Sequence, residues 1–115
     1  MKSNPVLEKS YHFAVKTVKL YQHLSKEKKE FVLSKQLLRS GTSIGANTEE
    51  AIGGYSQKDF AAKLGIAYKE SRETKYWLRL LKDTDYITED QFKELYDECD
   101  ELAKLLFSII KSSRK

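Results

Sequence analysis

Two glycines, Gly41 and Gly45, lie four residues apart inside a stretch that otherwise has the pattern of an amphipathic helix. Apolar residues recur there at three- and four-residue spacings, the period of one helix face. Each interior glycine destabilises a helix by about 1 kcal/mol relative to alanine. A helix that keeps two glycines on one face therefore indicates that another helix packs closely against it.

A second predicted helix further along the chain supports close packing, because Ser71 and Thr74 interrupt its apolar face halfway. The small middle of one helix and the polar middle of the other match if the two form an antiparallel hairpin. We therefore expect the second and third helices to pack closely at their centres. The residues predicted at this contact are Gly41, Ser43, Gly45, Ser71 and Thr74.

Four helices joined by short connections account for all 115 residues. Capping residues indicate three of the helix starts, at Asn4-Pro5, at Ser56 and at Thr88 with Gln91. The predicted helices cover about residues 5–24, 29–52, 57–82 and 89–111. The absence of any alternating Val/Ile/Thr-rich run argues against a sheet. The prediction is a single all-α domain, an antiparallel up-down-up-down four-helix bundle.

The first predicted helix has two apolar lines, and both are candidates for the core. One line holds Leu7, Tyr11, Ala14, Val18 and Tyr21, and the other holds Phe13, Leu20 and Leu24. Tyr11 and Tyr21 lie among lysines, where aromatic rings could stack on bases. Their place on an apolar line favours the core. In the second helix, the apolar face is predicted to begin at Phe31.

Charge is distributed unevenly along the chain. Residues 1–39 hold nine Lys/Arg against three Asp/Glu, whereas residues 83–115 hold five against nine. A basic face of the first two helices attracts nucleic acid. Alternatively, basic helices pack beside an acidic one, in the same subunit or in a neighbour. The candidate nucleic-acid-binding residues are Lys16, Lys19, Lys26, Lys28, Lys29, Lys35 and Arg39.

A further polar set lies on faces that are otherwise apolar: Arg39, Glu50, Glu70 and Glu73. We interpret it as a structural ion-pair network that fixes the register of the helices. The alternative is a carboxylate cluster that binds a cation or a substrate amine.

No arrangement of residues indicates a catalytic site, a metal or a cofactor. His12 and His23 both lie on the first helix, and neither completes the Glu-x-x-His motif of di-iron bundles. Cys99 is the single cysteine, which excludes an intramolecular disulfide and favours a cytoplasmic location. No apolar run approaches the roughly 20 residues of a membrane span. We expect a non-enzymatic cytoplasmic protein without a membrane partner.

Two long motifs carry a family resemblance: LLRSGTSIGANTEEA over residues 37–51 and FAAKLGIAYKESRETKYWL over residues 60–78. With them the chain resembles, from Tyr11 to Ile110, the four-helix-bundle proteins of the ribosomal RNA (23S) intervening-sequence family. Members are encoded in insertions of large-subunit ribosomal RNA genes or elsewhere in bacterial genomes.

The resemblance implies a homopentameric barrel. It also implies a relationship to the accessory variability determinant of diversity-generating retroelements, a pentamer that binds nucleic acid and a reverse transcriptase. Our first hypothesis is therefore an oligomeric protein that binds RNA or DNA. The alternative is a protein-protein interaction scaffold, and a third hypothesis is a site built on Glu50, Glu70 and Glu73.

Overall fold

A computed structural model describes residues 4–54 and 56–113, and every regular element in those ranges is an α-helix. The helices are α1 (Pro5–Lys26), α2 (Leu33–Ile52), α3 (Gln57–Asp83) and α4 (Glu89–Ser113). Each packs against the next, and α4 returns to α1, which forms a bundle with extents of 45 × 25 × 19 Å. The all-α bundle prediction is confirmed.

Contacts between helices run in opposite sequence directions, as an antiparallel bundle requires. From Arg39 to Glu50, α2 pairs with α3 at Glu70 and then at Lys63. Along α1 and α4, Lys9 pairs with Glu101 and Lys16 pairs with Glu94.

The capping residues lie at the helix starts indicated by the sequence. The Asn4 side chain accepts a hydrogen bond from the backbone N–H of Leu7 at 3.3 Å, and Pro5 occupies the first position of α1. Ser56 Oγ accepts from the Asp59 N–H at 3.0 Å at the start of α3. At the start of α4, Thr88 and Gln91 exchange hydrogen bonds of 3.1 and 2.8 Å, a complete capping box.

Helix α2 begins at Leu33, four residues later than predicted. Lys29 has a φ of 54°, which lies in the left-handed region and stops α1 from running on into α2. The carboxylate of Glu30 then accepts hydrogen bonds from the backbone N–H groups of Val32, Leu33 and Ser34. Glu30, three residues before the first residue of α2, takes the place of the usual Ser or Asp cap at Val32, so the capping pattern did not reveal the start.

The core of the described residues combines apolar side chains with seven buried hydroxyl residues. Every buried side-chain N or O atom in the described ranges has a hydrogen-bond partner. Most buried hydroxyls bond a carbonyl three or four residues earlier in their own chain, as Thr48 does to Ile44 at 2.7 Å. The buried hydroxyl residues are Ser10, Thr17, Ser34, Ser40, Thr48, Ser71 and Thr74.

The glycines of α2 are buried as expected, but the helix that approaches them is α1, not α3. A Cβ atom added to Gly41 would lie 2.6 Å from Cγ2 of Thr17, and one added to Gly45 would lie 3.2 Å from the backbone oxygen of Ser10. The cause is the orientation of α1, which turns its short side chains Ser10 and Thr17 toward α2.

That orientation also decides between the two apolar lines of α1. The line with Phe13, Leu20 and Leu24 is buried, whereas Tyr11 is 68% exposed and Val18 is exposed. The expectation that Tyr11 belongs to the core was wrong.

The other residues predicted at the close contact lie in three different environments. Thr74 reaches α2, where its hydroxyl and that of Ser40 share a hydrogen bond of 2.9 Å. Ser71 lies beside α4, and its carbonyl accepts a hydrogen bond from the thiol of Cys99 at 3.2 Å. Ser43 is half-buried and donates to the carbonyl of Arg39 within α2 at 2.6 Å. The five residues therefore do not form one α2–α3 seam.

Replacing Gly41 by alanine is expected to destabilise the bundle although alanine favours helix. The added methyl clashes with the buried Thr17, and overpacking of this kind costs about 1–3 kcal/mol. Gly65 is the matched control, because a Cβ there meets nothing within 4 Å. Gly65→Ala should stabilise the monomer by roughly 0.5–1 kcal/mol through helix propensity. Urea unfolding measures both values.

A double-mutant cycle with Thr17→Ala identifies the cause of the Gly41→Ala effect. Removing Cγ2 and Oγ1 of Thr17 makes room for the new methyl, so the double variant should recover part of the loss. Equal unfolding free energies for Gly41→Ala and the parent protein would contradict the close α1–α2 contact.

Candidate nucleic-acid interface

Two of the seven predicted nucleic-acid-binding residues are occupied by ion pairs within the chain. Lys16 donates to Glu94 of α4 at 2.7 Å and also to Glu98. These hydrogen bonds, that to Glu94 first, raise the pKa of Lys16. Arg39 pairs with Glu70 at 3.3 Å and with Glu73. Neither cation is a free ligand for phosphate.

The other five lysines are exposed, and none pairs with a carboxylate in the described part of the chain. Lys19 lies on α1, two helical turns before the end of that helix. The remaining four follow one another through the joint between α1 and α2, and we call residues 26–35 the basic corner. Its lysines are Lys26, Lys28, Lys29 and Lys35.

The backbone of the basic corner is held in place by Glu30. Its carboxylate oxygens accept hydrogen bonds from three backbone N–H groups at N···O distances of 2.7–3.1 Å. The backbone N–H of Glu30 donates to the carbonyl of Leu24 at 3.0 Å. Burial alone would raise the pKa of Glu30, but the hydrogen bonds from Ser34, Leu33 and Val32 outweigh it, and the pKa is lowered. Lys28 and Lys29 are therefore presented from a fixed connection between the two helices.

The same end of the bundle carries acidic residues, but on the other pair of helices. In an up-down-up-down bundle the α1–α2 and α3–α4 connections lie at one end. Four exposed carboxylates lie in or beside the α3–α4 connection: Asp83, Asp85, Glu89 and Asp90. This end is therefore basic along the α1–α2 edge and acidic along the α3–α4 edge.

The predicted ion-pair network divides into two separate groups. Arg39 contacts Glu70 and Glu73, and the indole Nε1 of Trp77 donates to Glu73 at 2.8 Å. Glu50 instead pairs with Lys63 at 2.9 Å. Glu50 follows Arg39 by eleven residues, which is about 16 Å along a helix, so the two cannot share partners.

No arrangement suited to metal or thiol chemistry emerges from the described residues. Residues 4–54 and 56–113 contain no group of three or more His, Cys, Asp or Glu side chains that could hold a metal ion. Cys99 is buried, and this burial raises the pKa of its thiol to about 12. None of the four helices, over their described lengths, has a stretch long and apolar enough to cross a membrane.

Sequence reasoning missed two apolar side chains in the basic corner. Phe31 is 50% exposed and Val32 is 70% exposed, although Phe31 was predicted to begin the buried face of the second helix. The error follows from the predicted start of that helix. A helix beginning at Leu33 leaves both residues in the connection, outside the periodic pattern.

Comparison with known proteins gives one family. Residues 2–108 match the family model described as 23S rRNA-intervening sequence protein. The fold is similar to the crystal structure of a protein of unknown function from the S23 ribosomal protein family of Bacteroides thetaiotaomicron. The two chains are 56% identical with a TM-score of 0.91, and the match covers 92% of this chain and 98% of that one. No curated protein gives a significant match.

Glu30→Gln is expected to destabilise the protein at neutral pH, because hydrogen bonds to a charged acceptor contribute about 1.5–3 kcal/mol. The folded-state pKa of Glu30 lies below its ordinary value of 4.5. Its stabilisation is therefore present above that value and is lost as the pH falls through the folded-state pKa. Unfolding free energies of variant and parent should converge below the folded-state pKa.

Glu27→Gln is the control for this experiment, since it removes the same charge from an exposed site three residues away. It should change stability by less than about 0.5 kcal/mol at any pH. If the two variants behave alike, the carboxylate of Glu30 does not hold the turn.

Proposed function

This chain belongs to the 23S rRNA-intervening sequence protein family, and on that premise we propose that it binds nucleic acid as a non-enzymatic, oligomeric helical bundle. The observation that carries the proposal is the basic corner, in which Lys28 and Lys29 lie in a connection held by Glu30 and Lys26 and Lys35 lie on the adjoining ends of α1 and α2, all four exposed. Lys19 extends this basic surface along α1. Lys16 and Arg39, which pair within the chain, are left out of it.

Counterion release gives this surface its affinity. Each phosphate neutralised by a lysine releases condensed cations, so binding weakens steeply as salt rises. Four or five lysines make a weak site in a single subunit. A fixed turn helps, because less side-chain and backbone entropy is lost on binding.

Oligomerisation is the second part of the proposal, and it converts a weak site into a strong one by repeating it. Its support is the apolar line that α1 exposes: Tyr11, Val15 and Val18 follow one another at helical spacing. A contiguous apolar line on a helix marks a protein contact. The family resemblance makes a homopentamer the specific expectation, in a bacterial cytoplasm.

The exposed apolar line also favours a second candidate function, a protein-interaction scaffold without direct nucleic-acid contact. Phe107 of α4, which is 53% exposed, adds an apolar group on another face. In that case a protein partner, such as a reverse transcriptase, occupies these faces. The basic corner then serves only solubility.

The double variant Lys28→Gln/Lys29→Gln tests the nucleic-acid proposal. Its matched control is the double variant Lys58→Gln/Lys69→Gln, at exposed positions of α3. Both variants lose two charges. Only the first should flatten the dependence of log affinity on log salt, by about 1.4–1.8 for two phosphate contacts. Filter binding to ribosomal RNA fragments at several salt concentrations measures the slope. Absence of salt-dependent binding by the parent at micromolar concentration overturns the proposal.

Tyr11→Lys with Val18→Lys tests assembly. Light scattering should give a multiple of the 13.4 kDa subunit mass for the parent and a smaller species for the variant. Circular dichroism should show unchanged helix content, because both positions are exposed. Val32→Lys is the control, since it places a charge at an equally exposed residue away from the apolar line. A monomeric parent contradicts oligomerisation.

A further inference from the structure

Phe31 and Val32 place apolar surface in the middle of the basic corner. Exposed apolar side chains are common when they are scattered. Here two stand side by side, between Lys28-Lys29 and Lys35, at the end of the bundle. Neither contributes to the buried core, so their position calls for another explanation.

The exposure does not result from a loosely held loop. Glu30 lies immediately before Phe31 and is buried. Its carboxylate accepts hydrogen bonds from the backbone N–H groups of Val32, Leu33 and Ser34. Leu33, directly after, packs against the core. Phe31 and Val32 are therefore fixed between two anchored residues, and the turn presents them outward.

We propose that Phe31 is a base-stacking residue of the nucleic-acid site, and that the basic corner consequently binds single strands in preference to duplexes. The inference rests on the proposed function and assigns its ligand class. An exposed aromatic ring beside cations is the recurring element of single-strand binding sites, where the ring stacks on a base and the cations contact the flanking phosphates. In a duplex the base faces are stacked on one another and are unavailable to a side chain.

The surroundings of Phe31 favour a single strand over the other occupants of an apolar surface. Four lysines and one exposed carboxylate, Glu27, lie within the corner, so a second copy docking there by the same face would bring like charges together. A membrane anchor needs a broad apolar helix face, whereas only two apolar side chains are exposed here. The acidic α3–α4 edge limits the path of the strand to the α1–α2 edge.

The test compares Phe31→Ala with Phe31→Trp and Val32→Ala in the full chain. The probes are a labelled single-stranded oligouridine of about twelve nucleotides and the RNA duplex of the same length. Phe31→Ala should weaken oligouridine binding about five- to 150-fold, the range for loss of one stacked base. Duplex affinity and the salt slope should not change, because the lysines remain. Phe31→Trp should restore single-strand binding, and Val32→Ala should leave both affinities unaltered.

Fluorescence of Phe31→Trp gives an independent readout. Stacking on uridine should quench the new indole emission relative to the parent, whose only tryptophan is Trp77. Suppose that the parent shows salt-dependent binding. The stacking inference is then overturned, while the proposed function stands, if Phe31→Ala binds oligouridine as tightly as the parent or if it loses affinity for oligouridine and duplex equally. Equal loss of binding for Phe31→Ala and Val32→Ala also overturns it.

Two other outcomes are decisive as well. A parent that binds neither probe overturns the proposed function together with this inference. The parent is also tested on phosphatidylserine vesicles. If Phe31→Ala abolishes vesicle binding but leaves oligouridine binding unchanged, the basic corner is assigned to a membrane surface and the stacking role is overturned. Because Phe31 is half-exposed, Phe31→Ala should unfold at nearly the same midpoint as the parent. A matching midpoint shows that a change in affinity comes from the binding site and not from loss of folding.

Discussion

The close contact between α1 and α2 sets the arrangement of the rest of the molecule. Gly41 and Gly45 provide the space, and Thr17 and Ser10 are the short side chains that fill it. Once those residues face α2, the rotation of α1 about its axis is fixed. Phe13 then points into the core, and the line that contains Tyr11 faces outward. One steric fit therefore selects the core and the surface of the first helix together.

Features that follow common local patterns could be predicted from the sequence, whereas an unusual local cap and the partner of a helix face could not. The caps at Ser56 and Thr88 depend on side chains three residues apart, and both starts were predicted. The partner of Gly41 could not be identified, because α1 has two apolar lines of similar strength and periodicity does not rank them. The start of α2 was missed because Glu30 caps in an unusual position.

The charge pattern shows the same division. The excess of lysine in the first third of the chain was visible, and two interpretations were left open for it. The structure supports the second interpretation for part of the charge, because the acidic α4 pairs with α1 through Lys9 and Lys16. The joint between α1 and α2 keeps its lysines. A chain-wide count of charges therefore overstates the basic face, and the ion pairs indicate where it remains.

The buried hydroxyl groups of the bundle have a consequence for how such a fold diverges. Thr17, Thr48 and Thr74 each bond a carbonyl of their own helix, and of the three only Thr74 also bonds a neighbouring helix, at Ser40. At Thr17 and Thr48 the volume of the side chain is therefore the main constraint on substitution. Exchange among glycine, alanine, serine and threonine, with a compensating exchange on the facing helix, keeps the architecture intact over many substitutions. The exterior of the bundle is then free to change separately from its interior.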